Sequence, residues 1–202
     1  MMKFRIFEID FEITFLFAAL LAFIITLNSP INVVLTILSS LLHETGHLIA
    51  MIISDNKPQC VRFEITGMNI KRQHNLKIST KNELLIALAG PFVNGLMLVA
   101  SCIVLVFFEN EKLFILSCVN LILMAFNLLP IKKLDGGMAL YHLLSLRYNA
   151  YICSRILKVT SIAFVIVLYL WGIYVFVSTN YNISVLVIAL FLTLSLFDKN
   201  EY

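Results

Sequence analysis

Apolar runs long enough to cross a bilayer constrain this chain more than any other feature. A transmembrane helix takes about 20 mostly apolar residues, with a range of about 17–25. Candidate runs lie at 13–28, 31–53, 84–107, 113–130, 158–178 and 183–197. The first of them has no small-residue cleavage site behind it and reads as a retained helix, not a signal peptide. Composition agrees: 60% of the 202 residues are hydrophobic and 13% charged, against about 45–50% and about 25% in soluble domains. The expectation is an all-α polytopic membrane protein with six transmembrane helices, embedded in a lipid bilayer.

Charge tests that count independently, because cytoplasmic loops collect Lys and Arg. With six spans, fourteen of the fifteen basic residues fall on one side and Lys112 alone on the other. This predicts a multi-pass protein with both termini in the cytoplasm. A net charge of +3, with no basic cluster interleaved with aromatics, excludes nucleic acid as a partner. Four cysteines are scattered without a CxxC pair. Cys60 and Cys153 fall in cytoplasmic segments, where thiols stay reduced, and Cys102 and Cys118 read as packing residues.

No repeat or low-complexity tract divides the chain, so residues 1–202 read as one membrane-embedded domain. The one long loop is 54–82. Val61, Phe63 and Ile65 alternate there with Arg62, Glu64 and Thr66, Gly67 offers a turn, and Leu76 and Ile78 alternate with Lys77 and Ser79. That pattern predicts a short β-ribbon.

The second run holds the only motif with obvious chemistry, His43-Glu44-Thr45-Gly46-His47. On a helix His47 sits about 40° from His43, so both imidazoles can reach one Zn²⁺, and Glu44 can reach a water there as general base. Glu44 is also the one formally charged residue in the interior of any of the six runs, Lys158 standing at the very start of the fifth. A carboxylate at membrane depth costs about 2.5–3.5 kcal/mol on insertion scales and normally marks function. The alternative, a structural Glu paired with another span, finds no Lys or Arg inside the runs. On a helical wheel Thr36, Ser39, Ser40, Gly46 and Ala50 share the motif's side, Val34, Leu38, Leu41, Leu48, Ile49 and Ile52 cover the opposite side, and Thr45 points outward.

Two imidazoles leave a catalytic zinc one protein ligand short. His74 and His142 read as surface histidines. Asp135 is better placed, in Asn127-Leu128-Leu129-Pro130-Ile131-Lys132-Lys133-Leu134-Asp135-Gly136-Gly137. Pro130 interrupts a helix, and the glycine pair permits a sharp turn and close backbone approach. Broken backbone is tolerated at membrane depth only where it is protein-buried or lines a cavity. The alternative is an aspartate that merely caps a turn. His47 lies six residues from the end of its run, about 9 Å at about 1.5 Å per residue, which puts it near the cytoplasmic face with Asp135.

HETGH on one span with NxxPxxxxDGG on a later one resembles the site-2 protease family of intramembrane metalloproteases, over roughly residues 31–146. The compact layout is similar to the subgroup containing the stage IV sporulation factor protease, without room for that protein's soluble C-terminal module. The resemblance implies one Zn²⁺ per chain held by His43, His47 and Asp135, with Glu44 as catalytic base. It also implies a membrane-associated or single-span protein substrate, an inhibitory membrane partner and residence in a bacterial cytoplasmic membrane. Gly90-Pro91-Phe92-Val93-Asn94 matches the family's GPxxN element, and by that likeness Asn94 and Asn127 line the site and hold substrate. Taken as residues alone, the two asparagines can equally bond a neighbouring helix. Family members often carry a second proline just before the Asp-Gly-Gly step, where this chain has Lys132-Lys133. Two rival readings remain: a metal transporter using the same ligands, and a catalytically silent protein that binds membrane partners.

Overall fold

A computed structural model describes residues 2–6, 9–13, 30–54, 58–64, 67–72, 79–179 and 182–197. Six helices occur among them: α1 Pro30–Ile53, α2 Thr80–Phe107, α3 Glu111–Asn127, α4 Asp135–Ser145, α5 Ala150–Ser178 and α6 Ser184–Phe197. Three of these, α1, α2 and α5, are long and apolar enough to cross a bilayer. The protein is thus a multi-pass helical membrane protein. Helices α3 and α6, at 17 and 14 residues, correspond to the fourth and sixth apolar runs. Ile13 ends a strand, and the rest of the first run, 14–28, lies outside the described residues. Helix α4 was not expected, since Gly136 and Gly137 argue against a helix on propensity.

Four strands accompany the helices: β1 Met2–Ile6, β2 Ile9–Ile13, β3 Pro58–Glu64 and β4 Gly67–Arg72, in the order β1-β2-β3-β4. The β3–β4 pair is antiparallel, with Glu64 opposite Gly67, and falls within the loop where a ribbon was expected. Leu76 and Ile78, given to its second strand, lie outside the described residues. Strands β1 and β2 were not expected; they pair antiparallel with each other, β2 running parallel to β3. Their sequences alternate apolar and charged residues at a period of two, the mark of a strand.

The chain divides into two compact units, Met1–Met124 and Ala125–Tyr202. In the first, α1 packs closely on α2 because small residues meet there. A Cβ at Gly46 would lie 2.7 Å from the Ala89 carbonyl oxygen and 2.8 Å from Val93 Cγ2, so this glycine sets the helix spacing. The outer face of α1 is largely as expected, with Val34, Leu38, Leu41, Ile49 and Ile52 exposed, a surface suited to lipid, and Leu48 half-buried. Ser39, Gly46, His43 and His47 are buried, while Thr36 and Ser40, expected beside them, are exposed. Thr36 donates to the Asn32 carbonyl 2.9 Å away in its own helix and so needs no inward position.

The second unit holds an apolar core of Ile131, Val165 and Leu192, flanked by Phe126, Leu129, Leu134, Leu168, Tyr169 and Leu196. Helix α3 stops at Asn127, ahead of Pro130, and 128–134 form an irregular loop before α4. The Ser161 hydroxyl on α5 fastens that loop. It accepts from the Lys132 backbone N–H at 2.9 Å and donates to the Leu157 carbonyl at 2.6 Å. Gly136 and Gly137 sit in the first turn of α4, so the sharp turn expected of them is made by the loop instead. Their role is close approach: a Cβ at Gly136 would lie 2.1 Å from the Leu128 carbonyl oxygen, and one at Gly137 2.1 Å from that of Ile131. Asp135 is therefore presented by a helix start seated directly on backbone.

Candidate metal centre

His43 and His47 sit one turn apart on α1, at 5% and 8% exposure. Each ring is held through its Nδ1. The His47 Nδ1–H donates to the Ile86 carbonyl of α2 at 2.7 Å, and the His43 Nδ1–H donates to the Asn94 side-chain oxygen. With Nδ1 protonated on both rings, both Nε2 atoms carry lone pairs, and they face each other 3.2 Å apart. Tetrahedral zinc with Zn–N of about 2.0–2.1 Å needs two nitrogens about 3.3 Å apart. The pair already has that spacing.

Opposite the two nitrogens α2 presents Gly90. A Cβ there would lie 2.3 Å from His47 Nε2 and 2.7 Å from His43 Nε2. That is close to where an ion would sit between the imidazoles, so the missing side chain leaves the space a metal requires. Pro91 follows, and having no N–H it leaves the Ala87 carbonyl without its regular helical donor. The GPxxN element thus surrounds the histidines: Gly90 opens the space and Asn94, one turn later, orients His43.

His43 and His47, buried on α1, and Asp135, half-buried at the start of α4, each offer one atom of a kind that binds metal. Two imidazoles and a carboxylate suit zinc, which takes nitrogen and oxygen donors alike. Glu44 is half-buried beside the histidines. Asn127 ends α3 and is half-buried. His142 lies in the last turn of α4, outside the histidine–aspartate group, and His74 lies outside the described residues.

Three contributors were missed in the sequence. Gly90 has no side chain to suggest a role, and only its closeness to both imidazoles shows one. Ser39 was placed on the motif's side without a role. Asn120 on α3 was not singled out, although an amide inside an apolar run is the kind of residue that bonds another helix. Asn94, Asn120 and Ser39 are each 0% exposed.

The fold and these side chains together define a multi-pass membrane protein whose buried histidine pair is arranged as metal ligands are. No protein-family model matches the chain. It is 30% identical over 201 residues to a zinc metalloprotease of Methanocaldococcus jannaschii, covering 93% of this chain and 57% of that protein. The chain thus spans a little over half the length of that relative. A solved site-2 protease from Methanocaldococcus jannaschii superposes with a TM-score of 0.71 at 25% identity, covering all of this chain and 95% of the other. In sequence and in fold the chain is thus similar to archaeal zinc metalloproteases of the site-2 type.

Proposed function

We propose that the chain is an intramembrane zinc metalloprotease, hydrolysing a peptide bond of a membrane-associated or single-span protein near the cytoplasmic face. The observation that carries this is the pair of Nε2 lone pairs, set at a zinc-ligand spacing around the space kept open by Gly90. His43, His47 and Asp135 are the ligands for one ion. When bound, zinc polarises a carbonyl and brings a water's pKa toward about 7.

The chain's own residues supply the rest. Glu44 follows His43 on the same helix and takes a proton from the attacking water, later delivering it to the leaving amine. Ile86 and Asn94 hold the imidazoles so that neither ring turns its Nε2 away. The Asn94 amide is already bonded to His43 and Asn120, which favours an orienting role over a direct hold on substrate. Asn127, at the end of α3, remains the candidate for contact with substrate backbone. Strands β3 and β4 offer a place where an unwound substrate segment can add as a strand.

Residues 1–202 act as one peptidase domain with its core at about 31–146. The asymmetry of basic residues supports both termini in the cytoplasm, and likeness to the stage IV sporulation subgroup supports a bacterial cytoplasmic membrane and an inhibitory membrane partner. Among the described residues one His/Cys/Asp/Glu group can hold a metal, whereas a transporter needs a series of them along a path. The test is co-expression of wild type and Glu44→Gln with candidate single-span proteins. Wild type should yield a product that Glu44→Gln, still zinc-loaded, does not, since losing a positioned base costs about 10²–10⁴-fold. Equal processing by both would refute the hydrolase.

A further inference from the structure

Behind His43 lies a chain of buried amides whose direction is set at one end. The Asn120 side-chain nitrogen donates to the Leu116 carbonyl at 2.9 Å and to the Ser39 hydroxyl oxygen at 3.0 Å. A backbone carbonyl only accepts, so that end of the Asn120 amide must be its NH₂. Its oxygen then faces Asn94, whose NH₂ donates to it at 2.8 Å and also reaches the Ser39 carbonyl at 3.5 Å. The Asn94 oxygen is left facing His43 and accepts from the Nδ1–H. The Leu116 carbonyl sets the sense of this path from its far end, and the longer contact to the Ser39 carbonyl agrees with it.

Reversing the path would turn the Asn94 NH₂ toward His43. Nδ1 would then have to accept, the proton would move to Nε2, and the ring could no longer offer Nε2 to a metal. The members come from α1, α2 and α3 and have no water-exposed surface, so solvent cannot replace a lost partner, and an unpaired buried amide is costly.

We propose that Asn120, which lies outside the HETGH, GPxxN and NxxPxxxxDGG elements, is a positioning residue that fixes the tautomer of His43 through Asn94. The inference rests on His43 being a metal ligand, and it extends the centre to a helix that contributes no ligand of its own. Outer partners of metal-bound histidines are worth about 10–100-fold in metal affinity. Asn120 acts one bond further out, yet it makes the shorter of the two contacts that set which end of the Asn94 amide His43 meets.

The test uses the full chain in detergent, with ¹⁵N-histidine spectra of the metal-free protein and zinc affinity from chelator competition. Four histidines make the His43 signal assignable from a His43→Ala spectrum. Wild type should show His43 as the Nδ1–H tautomer. Asn120→Leu removes the acceptor for Asn94 and should mix the tautomers and weaken zinc about 10-fold or more. Asn120→Asp is isosteric and accepts from Asn94 in either protonation state, so it should keep the tautomer and bind within about threefold of wild type. In an Asn94→Leu background, Asn120→Leu should add little, as residues acting through one path do not combine additively.

Should Asn120→Leu not yield folded protein, Asn120→Ala removes the same acceptor without adding bulk. The proposal is overturned if His43 stays Nδ1–H and zinc affinity is unchanged without the acceptor. It is equally overturned if Asn120→Asp is as impaired as Asn120→Leu, or if the Asn94 and Asn120 effects multiply. Absence of zinc binding by wild type would refute the metal reading, while the tautomer spectra still decide the role of Asn120.

Discussion

Gly90→Ala adds one methyl group and should abolish tight zinc binding without unfolding the chain. The methyl carbon would stand 2.3 Å from His47 Nε2 and 2.7 Å from His43 Nε2. A carbon needs about 3.5 Å from a non-bonded neighbour, so the His47 ring must retreat by about 1 Å. It cannot do so and keep the bond from its Nδ1–H to Ile86, which is 2.7 Å long and lies on the same helix as the new methyl. Breaking that bond costs about 1–3 kcal/mol, and zinc ligands tolerate only about 0.2 Å of displacement. Structural zinc sites bind with about 10–16 kcal/mol over four ligands, so losing one imidazole forfeits about 3 kcal/mol, on the order of 10²-fold in affinity. The helix itself should not suffer, because Ala exceeds Gly in helix propensity by about 1 kcal/mol. Chelator competition on purified wild type and Gly90→Ala measures the loss, with the metal-free melting midpoint as the check on folding. Gly95→Ala is the control, since a Cβ there meets only Met124 Sδ at 3.3 Å, the mobile end of a flexible side chain. Zinc binding by Gly90→Ala within threefold of wild type, or an equal loss in Gly95→Ala, would refute the reasoning.

Gly137→Ala should destabilise the 128–137 segment by about 1–3 kcal/mol as overpacking against backbone, visible as a lower melting midpoint and weaker zinc binding; unchanged values for both would contradict the close seat on Ile131. Ser161→Ala should weaken zinc more than it lowers the melting midpoint, because it releases the Lys132 N–H that fastens the Asp135 loop; competition and melting on the same sample separate the two. A cysteine placed at Lys71 should escape a membrane-impermeant thiol reagent added from outside, while one at Asn180 reacts, and outside labelling at 71 would reverse the proposed orientation.

Much of the centre was legible because its residue types are rare at membrane depth. His43, Glu44 and His47 announce themselves by spacing in an apolar run, and Asp135 by the proline and glycines around it. The chemistry of Asn120 was not legible. A lone amide in a 17-residue helix says that it bonds something, but its partner depends on which helices meet. Ser39 and Thr36 show the same limit on one face of α1. Both are polar and both lie on the motif's side of the wheel, yet one is buried and the other satisfied by its own helix. Helix α4 was hidden because two glycines lower its propensity, and tertiary seating on the Leu128 and Ile131 carbonyls overrides that preference. Strands β1 and β2 carry a period of two, but each spans five residues, and their pairing with β3 depends on chain segments far apart in sequence.

Because Ser161 grips a main-chain N–H, the fastening of the aspartate loop is indifferent to which side chain stands at position 132, proline alone excepted. Where a second proline would stiffen this step, the chain carries Lys132-Lys133, and a hydroxyl on the next helix supplies restraint from outside the loop. Restraint of that kind separates two properties that a proline joins. The carboxylate can stay in register while the residues just before it drift, so their charge and size are open to selection for whatever passes the site. Descendants of such a chain could diverge in what they recognise through 132 and 133 before anything touched the ligands themselves.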